Sequence, residues 1–183
     1  MTIETKFSAL KVAVAADGVF VAAARMRVAA DRWRYQHVVR HLALSDHEVR
    51  GGHTIARHVG KSEAAIYRYL TTPAPGSTNR FPHADSTFYN LQEATRYIKA
   101  TLSDPANRAG LEAVMSGEMD RYTAQKSFSH VVGFGMRQRE QPETVTIGKP
   151  RSYKFELYFV NVIIVRDIGM HHGFKILTAF PVS

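Results

Sequence analysis

The chain has 183 residues, 45% of them hydrophobic, with 12 glycines and 7 prolines, so it can bury a core and is neither disordered nor fibrous. It contains no cysteine, which excludes disulfides, thiolate zinc sites and a cysteine nucleophile. The formal net charge is +8 before any of the 9 histidines is counted, which favours an anionic partner such as nucleic acid or an acidic protein.

Residues 5–44 read as helix, with Phe7, Leu10, Val14 and Ala15 on a 3.6-residue period and a break or kink at Gly18. Arg25, Arg27, Arg32, Arg34 and Arg40, interleaved with Trp33 and Tyr35, form a basic aromatic stretch able to lie along a phosphate backbone. A solvated cationic face with Trp33 in the core accounts for the same pattern. Ser45 and Glu48 have the spacing of a capping box. After Gly51 and Gly52 a short helix can start at His53 or Thr54 and stop near Gly60. Ser62 then caps a helix with the apolar stripe Ile66, Tyr67, Leu70.

Residues 71–87, with Pro73, Pro75, Gly76 and Pro82, read as a long loop. Asn90 to Leu102 is an amphipathic helix, and Pro105 opens another that ends at Gly117. The period then changes. Runs over 128–134, 144–147, 153–165 and 174–180 are β-branched and aromatic, and Asp167 to Gly173 reads as the hairpin joining the last two. Helices first and strands second predict an α+β fold, N-terminal helices followed by an antiparallel sheet. No run reaches the roughly 18 apolar residues of a membrane span. The first residues lack the basic segment and cleavage site of a secretory signal, so no signal peptide is expected.

The densest chemistry lies in Gly51–Leu70, GGHTIARHVGKSEAAIYRYL. His53 and His58, five apart, sit about 140° apart on an ideal helix, while Arg57 shares the face of His53. Two imidazoles that titrate near neutrality can act as base and acid in phosphoryl chemistry, and Arg57, Lys61 and Arg68 can hold a phosphate. The alternative is a partly buried His58 bonded to backbone beside solvated cations. His171 and His172 raise the question of a metal. The sequence has no HExxH, no DxD and no cysteine, and adjacent hairpin histidines are expected on opposite sides, so no metal and no cofactor is expected. P-loop, dinucleotide and GxSxG signatures are also absent.

This motif, followed by Ser86-Thr87-Phe88, an Ala94-bearing helix and the closing Leu177-Thr178-Ala179-Phe180-Pro181, resembles the bacterial RNase A-like toxin domain of contact-dependent growth inhibition and other polymorphic toxins. The resemblance covers residues 48–183. It implies a kidney-shaped α+β catalytic domain over 47–183, with 1–46 as a helical translocation, linker or RNA-gripping segment. The implied activity is metal-independent endoribonuclease cleavage of single-stranded or transfer RNA, with the ribose 2′-OH as nucleophile. The implied setting is delivery into a competing cell, action in its cytoplasm, and a cognate immunity protein as partner. Carried onto this chain, the site histidine is His53 or His58, the arginine Arg68 and the hydroxyl Thr178. Some members carry Tyr where this chain has Phe180, so leaving-group protonation passes to the other histidine, to water, or to Tyr158 or His172. RNA-specific cleavage follows from using the 2′-OH, which DNA lacks. Phe88, Tyr89 and Tyr153 are candidate base-stacking rings, with core packing as the alternative for each. Two other functions fit the charge: a noncatalytic RNA-binding module using Arg25 to Arg40, and a nucleotide-directed toxin that breaks down NAD.

Overall fold

The computed structural model describes residues 36–73, 81–138 and 152–183. Residues 5–35 of the helix expected over 5–44, with Arg25, Arg27, Arg32, Arg34, Trp33 and Tyr35, the middle of the 71–87 loop, and the 144–147 strand lie outside the described residues. The chain divides into two compact units, Met1–His41 and Leu42–Ser183. In the first, 36–40 is helical, and the His37 and His41 rings lie 4.4 Å apart.

The second unit contains α1 (Leu44–Val49), α2 (Thr54–His58), α3 (Glu63–Leu70), β1 (Ala84–Phe88), α4 (Leu91–Leu102), a 3-10 turn (Pro105–Asn107), α5 (Arg108–Ser116), β2 (Arg121–Ser127), β3 (Gly133–Gln138), β4 (Ser152–Leu157), β5 (Phe159–Arg166) and β6 (Phe174–Val182). Helices followed by two antiparallel sheets make the expected α+β class. The sheet orders are β1-β3-β4 and β2-β5-β6. Several boundaries follow the local chemistry read from sequence. Ser62 caps α3 by accepting from Ala65 N at 3.2 Å, Asn90 caps α4, and Gly117 closes α5 in the left-handed conformation.

Other boundaries differ for physical reasons. β1 and β2 fall where a loop and no strand were expected: ADSTF is polar, and along RYTAQKS only Ala124 is buried, so neither shows apolar alternation. The apolar run 153–165 is two strands. Leu157 pairs with Gly133 in one sheet and Phe159 with Ser127 in the other, so the chain changes sheets at Tyr158. Ser45 does not cap α1; its hydroxyl donates to Asp46. Glu48 instead caps the next helix, its carboxylate accepting from Ile55 N at 3.2 Å and Ala56 N at 2.7 Å.

Each sheet buries one face against helices. α3 places Ile66 and Leu70 on Phe134 and Met136 of β3, and Gln138 Nε2 donates to the Leu70 carbonyl. Truncating Leu70, fully buried, to alanine would cost about 2–5 kcal/mol. On the other sheet, Val160, Val162 and Ile164 of β5 alternate inward beneath α4 and α5, which contribute Ile98, Leu102, Leu111 and Val114.

Candidate active site

β6 is an edge strand, and the α1–α2 segment covers it. His47 Nδ1 accepts from Ile176 N at 3.1 Å, His53 N donates to the Leu177 carbonyl at 3.0 Å, and the Thr54 hydroxyl accepts from Ala179 N at 2.8 Å. Gly52 is required for this approach, because a Cβ there would lie 2.6 Å from the Ile176 carbonyl oxygen and 2.7 Å from that of His47. Leu177 is the extra residue of a bulge, since Ile163 pairs with Thr178 and Ile164 with Ile176. Past the bulge, Thr178, Phe180, Pro181 and Val182 of β6 line a cleft, with Thr178 and Pro181 buried in its wall, while Ala179 is buried outside it.

The loop after α2 lies on β1. Gly60, at φ +65°, donates its N–H to the Phe88 carbonyl at 2.9 Å, Val59 forms a parallel bridge to Phe88, and Lys61 N donates to Thr87 Oγ1 at 3.1 Å. The first motif and the last strand therefore meet. A cleft of about 410 Å³ is lined by His53, Arg57 and His58 from the one and by Thr178 and Phe180 from the other. Asp85 and Ser86 of β1, Tyr69 of α3, Arg137 of β3 and Phe155 of β4 complete the walls used below.

Within it the histidines differ. His58 Nδ1 is 3.0 Å from the Ser86 carbonyl, which can only accept, so Nδ1 carries the hydrogen and the lone pair of the neutral ring is on Nε2. Its ring packs against Phe180 with centroids 5.2 Å apart, and Asp85 Oδ1 is 3.7 Å from Nδ1. Burial lowers the pKa of His58, outweighing the Ser86 bond and the Asp85 carboxylate, which act the other way; burial likewise raises that of Asp85. His53 is the N-cap of α2 with non-helical backbone, so the 140° of an ideal helix does not govern it and both imidazoles reach one cleft. The guanidinium of Arg57 lies 4.6 Å over the Tyr69 ring. Thr178 is 7% exposed, and its buried Oγ1 has no hydrogen-bond partner among the described residues. Its oxygen is shielded from solvent and carries unmet hydrogen-bonding capacity beside the cleft.

Arg68, Lys61, Tyr158 and His172 do not line this cleft, nor do the candidate stacking rings Phe88, Tyr89 and Tyr153. Arg68 is exposed on α3, and its carbonyl accepts from Thr71 and Thr72. Lys61 is engaged through its backbone. Tyr158 sits at the crossing between sheets, its hydroxyl donating to Glu156 at 3.0 Å, a bond that raises its pKa. His172 is buried against Phe174 at 4.6 Å. Its Nδ1 is 3.1 Å from His171 Nε2, so the adjacent histidines touch and do not diverge. Among the described residues no group of three or more His, Asp or Glu side chains could hold a metal ion, and no helix is long and apolar enough to cross a membrane.

An α+β domain that gathers two histidines, an arginine and a threonine hydroxyl without a partner among the described residues in one cleft has side chains suited to phosphodiester cleavage. Residues 52–181 match the family described as the bacterial CdiA-CT RNAse A domain, and the chain belongs to that family, the ribonuclease toxins of contact-dependent growth inhibition. Its fold is similar to that of a protein in the crystal structure of a CdiA-CT/CdiI complex from Y. kristensenii 33638, with 23% identity and a TM-score of 0.53, covering 72% of this chain and 100% of that one. No curated protein matches the chain.

Proposed function

We propose that residues 47–183 form an endoribonuclease that needs no metal and cleaves RNA by transesterification through the ribose 2′-OH. The observation that carries this is the convergence of His53, Arg57 and His58 with Thr178 in one cleft. His58, neutral and with its lone pair fixed on Nε2 by the Ser86 contact, takes the 2′-OH proton. The 2′-oxygen attacks phosphorus, the bond from phosphorus to the 5′-oxygen breaks, and His53 as imidazolium gives its proton to that leaving oxygen. The products are a 2′,3′-cyclic phosphate and a 5′-hydroxyl. Arg57 and the Thr178 hydroxyl donate to the nonbridging oxygens where charge develops. Arg57 replaces Arg68 in this role because Arg57 lines the cleft. Phe180 packs on His58 and carries no proton.

Single-stranded RNA or transfer RNA is the substrate expected of this basic domain. Its site of action is the cytoplasm of a target cell after delivery, and its producer is protected by an immunity protein, as the CdiA-CT/CdiI pairing of the structural neighbour suggests. Residues 1–46 serve as a translocation or linker segment, or as an arm that grips RNA. The test is incubation with total RNA in EDTA, with the double variant His53→Ala, His58→Ala as control. Intact RNA with the wild type, or undiminished cleavage by the double variant, sinks the proposal. Depleted NAD beside intact RNA would point instead to NAD breakdown, and RNA binding without cleavage to a binding module.

A further inference from the structure

The cleft wall carries a ring and a cation, Phe155 and Arg137, that take no part in the proposed bond cleavage. Register places Ala84, Ser86, Phe88, Gly133, Gly135, Arg137, Tyr153, Phe155 and Leu157 on one face of the β1-β3-β4 sheet, with Phe88 at its buried end. Small residues on β1 and β3 leave this face low. Gly135 matters most, since a Cβ there would lie 2.7 Å from Phe155 Cζ and 3.3 Å from Leu157 Cδ1; without one, the Phe155 ring leans across β3. Arg137 lies 5.6 Å over that ring, and Tyr153 follows with its centroid 5.8 Å from Phe155. Tyr153 is 48% exposed, whereas Phe88, another ring considered for stacking, is fully buried in the core. Arg137 is exposed and has no carboxylate partner among the described residues. Arg137 and Phe155 line the same cleft as His53, His58 and Thr178.

We propose that Tyr153, Phe155 and Arg137 form a nucleotide subsite beside the scissile phosphate, in which a base of single-stranded RNA stacks on the rings and Arg137 binds an adjoining phosphate. This rests on the ribonuclease reading. Open aromatic faces with a flanking guanidinium are how sequence-tolerant single-strand binding is achieved, because every base has a π-face and every linkage a charge. Phe155, Arg137 and the catalytic groups share one cavity and Tyr153 adjoins Phe155 outside its lining, so the occupant is the same strand that is cleaved, adjacent to its reacting bond.

The experiment pairs two measurements on Arg137→Gln and Tyr153→Ala, both at exposed positions. The first is affinity for a fluorescent 2′-deoxy oligonucleotide, which has no nucleophile and stays intact, as a function of salt. The second is kcat and KM on single-stranded RNA. Tyr153→Ala is expected to weaken binding and raise KM roughly tenfold with kcat little changed, since one stacked base is lost. Arg137→Gln is expected to weaken binding and to reduce the log–log salt slope by about 0.7, as loss of one phosphate contact on a single strand requires. His58→Ala is expected to abolish cleavage and leave oligonucleotide affinity unchanged. A wild type that cleaves RNA while both variants match its affinity, salt slope and KM overturns the subsite alone. A wild type that cleaves no RNA overturns the ribonuclease reading beneath it.

Discussion

The pair of buried histidines behind the cleft makes stability depend on pH in a defined window. His47 is 2% exposed; its Nδ1 accepts from Ile176 N, so Nε2 carries a hydrogen, and that atom is buried without a partner among the described residues. Burial, with smaller repulsion from His172 and His171, lowers its pKa to about 4, against the opposing pull of Asp46 and Asp167. His172 is likewise lowered to about 4, mainly by burial and then by His171. Because the folded pKa lies below the unfolded 6.5, the unfolded chain binds more protons between those values, and stability is lost as pH falls through 6.5 toward 4. For His47 the 2.5-unit difference corresponds to about 3 kcal/mol once pH is below 4, and about 1.4 kcal/mol is already lost near pH 5.5. The His172 contribution does not simply add, because the His47 shift already contains the charge of His172. Urea denaturation followed by circular dichroism at about pH 7.5 and 5.5 measures the loss. His47→Gln keeps an acceptor for Ile176 N and removes the titration, so the difference between the two pH values should shrink by roughly 1 kcal/mol. Equal stability of the wild type at both values, or an unchanged difference in the variant, refutes the reasoning.

Three further outcomes follow from the cleft. Because burial lowers the pKa of His58, the acid limb of the kcat/KM profile should fall below the 6.5 of a free imidazole; Asp85→Asn, which removes a carboxylate that raises it, should move the limb lower still, read from initial rates across pH. Gly52→Ala places a Cβ against two backbone oxygens that cannot yield, so it should lower stability by more than about 2 kcal/mol in thermal melts and reduce kcat at temperatures where the fold persists. Phe180→Tyr adds a phenol at the cleft wall beside His58, and kcat should rise about tenfold if leaving-group protonation limits the rate.

Much of the fold was legible because its signals are local. Ser62, Asn90 and Gly117 end helices by chemistry that involves only neighbouring residues. β1 and β2 were not, because polar strands owe their existence to partners far along the chain, and no period within ADSTF or RYTAQKS announces them. The site divides in the same way. The two ends, GGHTIARHVGK and LTAFP, stand out as dense or unusual stretches, and their meeting depends on Gly52, the Thr54 hydroxyl and the Leu177 bulge, each mute in the sequence. Asp85, Ser86 and Arg137 enter through strand register, which the sequence does not display. Arg68 was favoured over Arg57 on the resemblance, yet Arg57 lines the cleft and Arg68 faces solvent. Glu48 carried the right signal for the wrong helix, since a carboxylate's reach to N–H groups seven and eight residues on requires the turn at Gly51 and Gly52.

The central claim is that this cleft cleaves RNA by using the ribose 2′-OH against its own phosphate. Its most direct test is end-group analysis of RNA cut by the wild type in EDTA, set beside the same reaction with His58→Ala. Attack by the 2′-OH gives a 2′,3′-cyclic phosphate and a 5′-hydroxyl with the wild type, and both are lost with the variant. A 3′-hydroxyl with a 5′-phosphate, or cyclic ends formed equally well without His58, would contradict it.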